Sequence, residues 1–81
     1  MSTKFLEKNI KLSLELDRYL ARNPSAVNRI PRGAYVIVTV KGDGPFNRKA
    51  KILLKKVRSG RQKYIEARKD GARWVLEPMN V

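Results

Sequence analysis

Ala-Tyr-Val-Ile-Val-Thr-Val at Ala34 to Val40 is the clearest strand signal in the chain. Its apolar side chains fall on both alternating faces, which predicts a strand with both faces at least partly covered. Downstream, Phe46, Ala50, Leu53, Leu54 and Val57 recur at i, i+4, i+7, i+8 and i+11, the stripe of one helix face. Lys41-Gly42-Asp43-Gly44-Pro45 is the loop that opens this helix, with Pro45 near its first position, and Ser59-Gly60 reads as its C-terminal cap.

The segment from Thr3 to Ala21 carries two signals. Ile10 to Asp17 alternates apolar and polar, as a strand does. Its apolar residues are mostly Leu, however, and Leu, Lys and Glu favour helix. Nineteen residues are also long for a strand, and Asn23-Pro24 supplies a stop. A helix is therefore expected, with Ser2 or Thr3 as its cap. Residues 23–29 fit one helical turn capped by Asn23, and Ile30-Pro31-Arg32-Gly33 fits a turn.

The remainder predicts a hairpin, with strands over 61–68 and 72–77, a turn at Lys69-Asp70-Gly71, and Pro78 as the stop. If Asp70-Gly71 is a two-residue type I′ loop, Ala67 pairs with Trp74 and Ile65 with Leu76. Those four then share an inward face, while Tyr64, Glu66, Arg68, Arg73, Val75 and Glu77 point outward. The whole predicts an α/β (α+β) fold over a single domain, 1–81. Its order is α-(short α)-β-α-β-β, with a small three-stranded mixed sheet, two long helices, a C-terminal β-hairpin and a right-handed parallel crossover.

Read as a helix, the first segment is apolar over a wide arc. Phe5, Leu12, Leu16, Tyr19 and Leu20 form one stripe, and Leu6, Ile10 and Leu14 lie beside it. The wide arc fits a helix buried against both a sheet and a neighbouring helix. It also fits one whose Ile10 and Leu14 face a second subunit or another protein.

Composition narrows the chemistry. The 81 residues contain no cysteine and no histidine. Disulfides and thiolate metal sites are therefore absent, and so are the commonest general base and metal ligand. Glu15 and Asp17, two apart on a helix, point away from each other, and Glu66 and Glu77 fit cross-strand pairs with Lys or Arg. No enzyme activity, cofactor or metal is expected. Neither a secretory signal nor a membrane-length apolar run is visible, so a cytoplasmic location without membrane contact is expected.

Charge supplies the functional signal. Nineteen Lys and Arg against seven Asp and Glu leave a net +12. Residues 44–81 hold eleven of the basic and three of the acidic residues. On the second helix Arg48, Lys49, Lys51, Lys55, Lys56 and Arg58 lie behind the apolar stripe, and no acidic residue occurs from Gly44 to Ile65. Arg61 and Lys63 extend the set, and Arg68, Lys69 and Arg73 cluster near the turn. A solvated helix face ordinarily mixes signs, because like charges at i and i+4 repel. A single-sign ridge points to a polyanion bound through counterion release, most simply nucleic acid, DNA or RNA.

Tyr64, between basic residues on the hairpin's outer face, is the candidate for base stacking, whereas Trp74 and Tyr35 read as core. Gly42-Asp43-Gly44-Pro45 lacks the spacing and the Gly-Lys-Ser/Thr of a phosphate loop and reads as a turn. The expectation is a nucleic-acid-binding protein of low sequence specificity. The alternative is a protein-interaction module, such as an antitoxin or a small subunit of a complex, using the apolar face of the first helix.

Lys8-Asn9-Ile10, Leu12, Glu15, Asp17-Arg18-Tyr19-Leu20, Asn23-Pro24 and Ile30-Pro31-Arg32-Gly33-Ala34 together resemble a small uncharacterised prokaryotic family of domains of about this length. The resemblance implies no activity and no site residue.

Overall fold

The structure, a computed structural model, describes residues 3–57 and 63–79. Along these residues run helix α1 (Thr3–Arg22), the single turn α2 (Pro24–Val27), strand β1 (Tyr35–Val40), helix α3 (Gly44–Val57), and strands β2 (Tyr64–Asp70) and β3 (Arg73–Met79). The strands form one sheet in the order β1-β2-β3, with β1 parallel to β2 and β2 antiparallel to β3. This is the α+β order expected from the sequence.

α1 ends as Asn23-Pro24 predicts, but Asn23 acts differently from expectation. It makes no side-chain cap to α2. Its Nδ2 instead donates to the Tyr19 carbonyl at 2.8 Å. The last carbonyls of a helix lack intrahelical partners, and an amide side chain can donate to one of them.

Alternation sorts the sheet into two faces. Val36, Val38 and Val40 of β1 share a face with Ile65, Ala67 and Lys69 of β2 and with Trp74 and Leu76 of β3. α1 covers this face, because Lys69 forms an ion pair with Glu15 of α1. Phe5, Leu12 and Leu16 of α1 join Val38, Ala67 and Trp74 in the core. Ile37, Thr39 and Tyr64 on the opposite face are buried as well. Both sides of β1 are thus covered, in accord with its apolar run. The fully buried Thr39 hydroxyl donates to Glu66 Oε2 at 2.6 Å, so its burial leaves no lost hydrogen bond.

The hairpin register differs from the expected one. Asp70 pairs with Arg73, Lys69 with Trp74, and Ala67 with Leu76, so the loop is Gly71-Ala72 rather than Asp70-Gly71. A type I′ loop needs positive φ at both central residues, and a II′ loop needs it only at the first. Gly71 has φ 61°, and no non-glycine residue among those described has positive φ. Glycine at the first position therefore selects the loop one residue later. The pairing slides by two residues, which preserves the faces: Ile65, Ala67, Trp74 and Leu76 still point the same way. Pro78 does not end β3, which continues to Met79. β3 is an edge strand, where a missing N–H need not meet a partner.

α3 packs against β1, with Phe46, Ala50 and Leu54 buried. Asn47 ties it to the strand. The Val40 N–H donates to Asn47 Oδ1 and Asn47 Nδ2 donates to the Val40 carbonyl, each at 2.8 Å. One amide thereby bonds both backbone groups of Val40, whose carbonyl also accepts the Asp43 N–H at 3.1 Å. Asn47→Ala leaves them without that partner and is expected to cost about 2 kcal/mol. For a domain this small that lowers Tm by roughly 10 °C, read by far-UV circular dichroism. An unchanged Tm would show that the clamp contributes nothing.

Candidate nucleic-acid interface

Asp43 starts α3. Its Oδ1 accepts the Phe46 N–H at 3.1 Å, three residues on, as an N-cap does. Its carboxylate also pairs with Lys8 of α1. The Lys8 ammonium lies 5.2 Å from the centroid of the Phe46 ring, and the Phe5 and Phe46 rings meet at 5.0 Å. Cap, ion pair and the tilted contact of the two rings together fix the rotation of α3 about its axis.

That rotation turns Arg48, Lys49, Lys51, Lys55 and Lys56 outward, and all five are exposed. The ion pairs among the described residues are Lys8 with Asp43, Lys41 with Asp70 at 3.6 Å, Arg68 with Glu77 at 3.4 Å, and Lys69 with Glu15. None uses a cation of α3. The helix holds five basic residues and no acidic one. At about 1.5 Å per residue its 14 residues extend roughly 21 Å.

The hairpin cations do not gather into one patch. Arg68 and Lys69 are tied to Glu77 and Glu15, so both are largely spent within the molecule. Lys63 and Arg73 are exposed but stand at opposite ends of the sheet. Lys63 precedes β2, at the end toward which α3 runs, and Arg73 follows the hairpin turn at the other. Arg58 and Arg61 lie outside the described residues.

Tyr64 is not the exposed platform that the sequence suggests. It retains 4% exposure, pairs with Tyr35 on one side and Met79 on the other, and its ring lies 6.1 Å from that of Tyr35. An outward residue of an isolated hairpin is solvated, but β2 is the middle strand of this sheet. Trp74 is buried as expected, and Tyr35 is partly buried against the core.

One residue of this surface escaped the sequence reading. Ile52 is 53% exposed and sits on α3 among Arg48, Lys49, Lys55 and Lys56. It lies off the apolar stripe, and that displacement within a basic helix is the signal that could have marked it.

A family model matches residues 4–77. The chain belongs to DUF5647, a family of unknown function. The DUF5647 match runs from α1 into β3 and so includes the whole basic face of α3. No curated protein and no solved structure matches the chain. No helix among the described residues is long and apolar enough to cross a membrane.

The ion pair at the cap ties stability to the charge on Asp43. The Asp43 carboxyl lies below its ordinary value of 3.8, chiefly because Lys8 hydrogen-bonds to it and next because the Phe46 N–H does. A carboxyl lowered on folding contributes stability above its unfolded value, and the contribution is lost as pH falls through the lower folded value. Asp43→Asn keeps a capping oxygen but loses the ion pair. Urea unfolding is expected to show the variant less stable than the parent at neutral pH, with the two curves converging in acid below 3.8. A gap that stays constant with pH would contradict this.

Proposed function

We propose that this chain binds nucleic acid, DNA or RNA, through phosphate contacts made by the outer face of α3, with little sequence specificity. The observation that carries the proposal is the set of five exposed α3 cations, none paired with a carboxylate among the described residues. The four ion pairs draw on cations of α1, the strands and the loop after β1. Exposed cations outside α3, such as Lys4, Lys11, Arg29 and Arg32, are also outside these pairs, but α3 gathers five on one helix with no acidic residue among them.

Arg48, Lys51 and Lys55 follow one another at spacings of three and four, which stacks like charge on one side of the helix. From Arg48 to Lys56 the cations span about 12 Å of helix axis at ~1.5 Å per residue, which matches about three to four phosphates along one strand at ~3.4 Å each. Lysine and arginine contacts to phosphate release condensed counterions and carry no base information. Ile52, in the middle of the row, offers an apolar contact to sugars or base edges. With Tyr64 buried, the face lacks the stacking platform by which many single-strand binders hold bases.

A second reading has its own observation. Leu6, Ile10 and Leu14 of α1 are exposed, which favours a protein-interaction role through that helix.

Fluorescence anisotropy with labelled duplex DNA and structured RNA separates these readings. At moderate salt, Lys51→Glu with Lys55→Glu should weaken binding on the order of a hundredfold. Arg68→Gln should change it less than about threefold, since that guanidinium already faces Glu77. Equal affinity of the double variant and the parent would remove α3 from the binding surface.

A further inference from the structure

α1 presents a second surface on the side away from the sheet. Leu6, Ile10 and Leu14 are 44%, 60% and 54% exposed, and they follow one another at i, i+4 and i+8. Phe5, Leu12 and Leu16 occupy the buried side of the same helix. The apolar width of α1 thus does not all go into the core, and a ridge of three large side chains remains in solvent.

We propose that this ridge pairs with the same ridge of a second copy of the chain, α1 against α1 in antiparallel orientation, with Ile10 of one protomer against the partner's Leu14. In a two-fold interface, residue i meets j and j meets i. Ile10 and Leu14 satisfy that relation about a point midway between them. The flanking charges satisfy it about nearly the same point. Glu7 and Arg18 lie eleven residues apart, about three full turns at 3.6 residues each, so both stand on the same flank of the ridge. The two-fold axis sets Glu7 beside the partner's Arg18, and Arg18 beside the partner's Glu7.

Charge distribution favours α1 as the meeting face. α1 carries five basic and three acidic residues, whereas α3 carries five and none. Two copies thus meet through the better balanced of the two long helices. A helix about 30 Å long and ~10 Å wide gives a small contact, at the low end of specific interfaces. The pairing is therefore weak and concentration-dependent. The net +12 of each copy opposes it, so added salt strengthens it by screening. Phosphate binding has the opposite salt dependence.

Sedimentation equilibrium of the full chain, with no nucleic acid present, tests this. The average mass should rise with protein concentration from 9.3 kDa toward twice that value, and the rise should be steeper at about 0.5 M salt than at ~0.05 M. Ile10→Asp and Leu14→Asp should remain monomeric, whereas Ile52→Asp on α3 should associate like the parent. Glu7→Arg should weaken association about tenfold, and Glu7→Arg with Arg18→Glu should restore it. A chain that stays monomeric at millimolar concentration overturns the proposal. So does association that survives Ile10→Asp with Leu14→Asp, or one that the charge swap fails to restore.

Discussion

Asp43 and Asn47 hold the start of α3 against the end of β1. A helix with one apolar stripe gains from burying it, but the stripe alone tolerates rotation by a fraction of a turn. The N-cap fixes where the first turn begins, and the Asn47 amide fixes which side of that turn meets the strand edge. Phe46, Ala50 and Leu54 then point into the core. Everything proposed for the outer face follows from this setting, because the cations lie at the remaining positions of the same helix.

The carboxylates matter as much for where they are absent as for where they act. Glu15 holds Lys69, Asp43 holds Lys8, Asp70 holds Lys41 and Glu77 holds Arg68. Each of these pairs ties one element of the fold to another or closes the hairpin. Exposed pairs contribute little individually, commonly under about 1 kcal/mol. Their larger effect here is on the distribution of charge. They neutralise part of the sheet and its junctions, while α3 keeps five exposed cations and no carboxylate of its own, so that like charges repel there at short spacing. The polyanion proposed to bind there would offset that repulsion, whereas salt only screens it.

Much of the fold was legible from periodicity. The β-branched run of β1, the stripe of α3 and the stop at Asn23-Pro24 each reflect a local rule that tertiary packing did not override. The errors came where a local rule left two answers. Asp70-Gly71 and Gly71-Ala72 both satisfy hairpin chemistry, and only the sign of φ at the residue beside glycine separates them. Tyr64 was placed outward correctly by alternation, but alternation does not say whether the outward face is covered. Glu77 was read as a cross-strand partner for Lys or Arg and does pair with Arg68, whereas Lys69 read as part of a basic cluster because its partner Glu15 lies 54 residues away. Ile52 went unread although it lies off the α3 stripe, and for Ile10 and Leu14 the helical arc left two readings open, burial against a neighbouring element or exposure toward a partner.

Counterion release at the α3 cations is the proposed source of affinity, and the dependence of affinity on salt measures it directly. Binding of the unmodified chain to a labelled duplex, followed over a tenfold range of salt, should give a log–log slope of about −4, corresponding to the five α3 cations at roughly −0.9 each less a small loss from imperfect contact. A slope near zero, with binding still present, would mean that phosphate neutralisation is not what holds the nucleic acid.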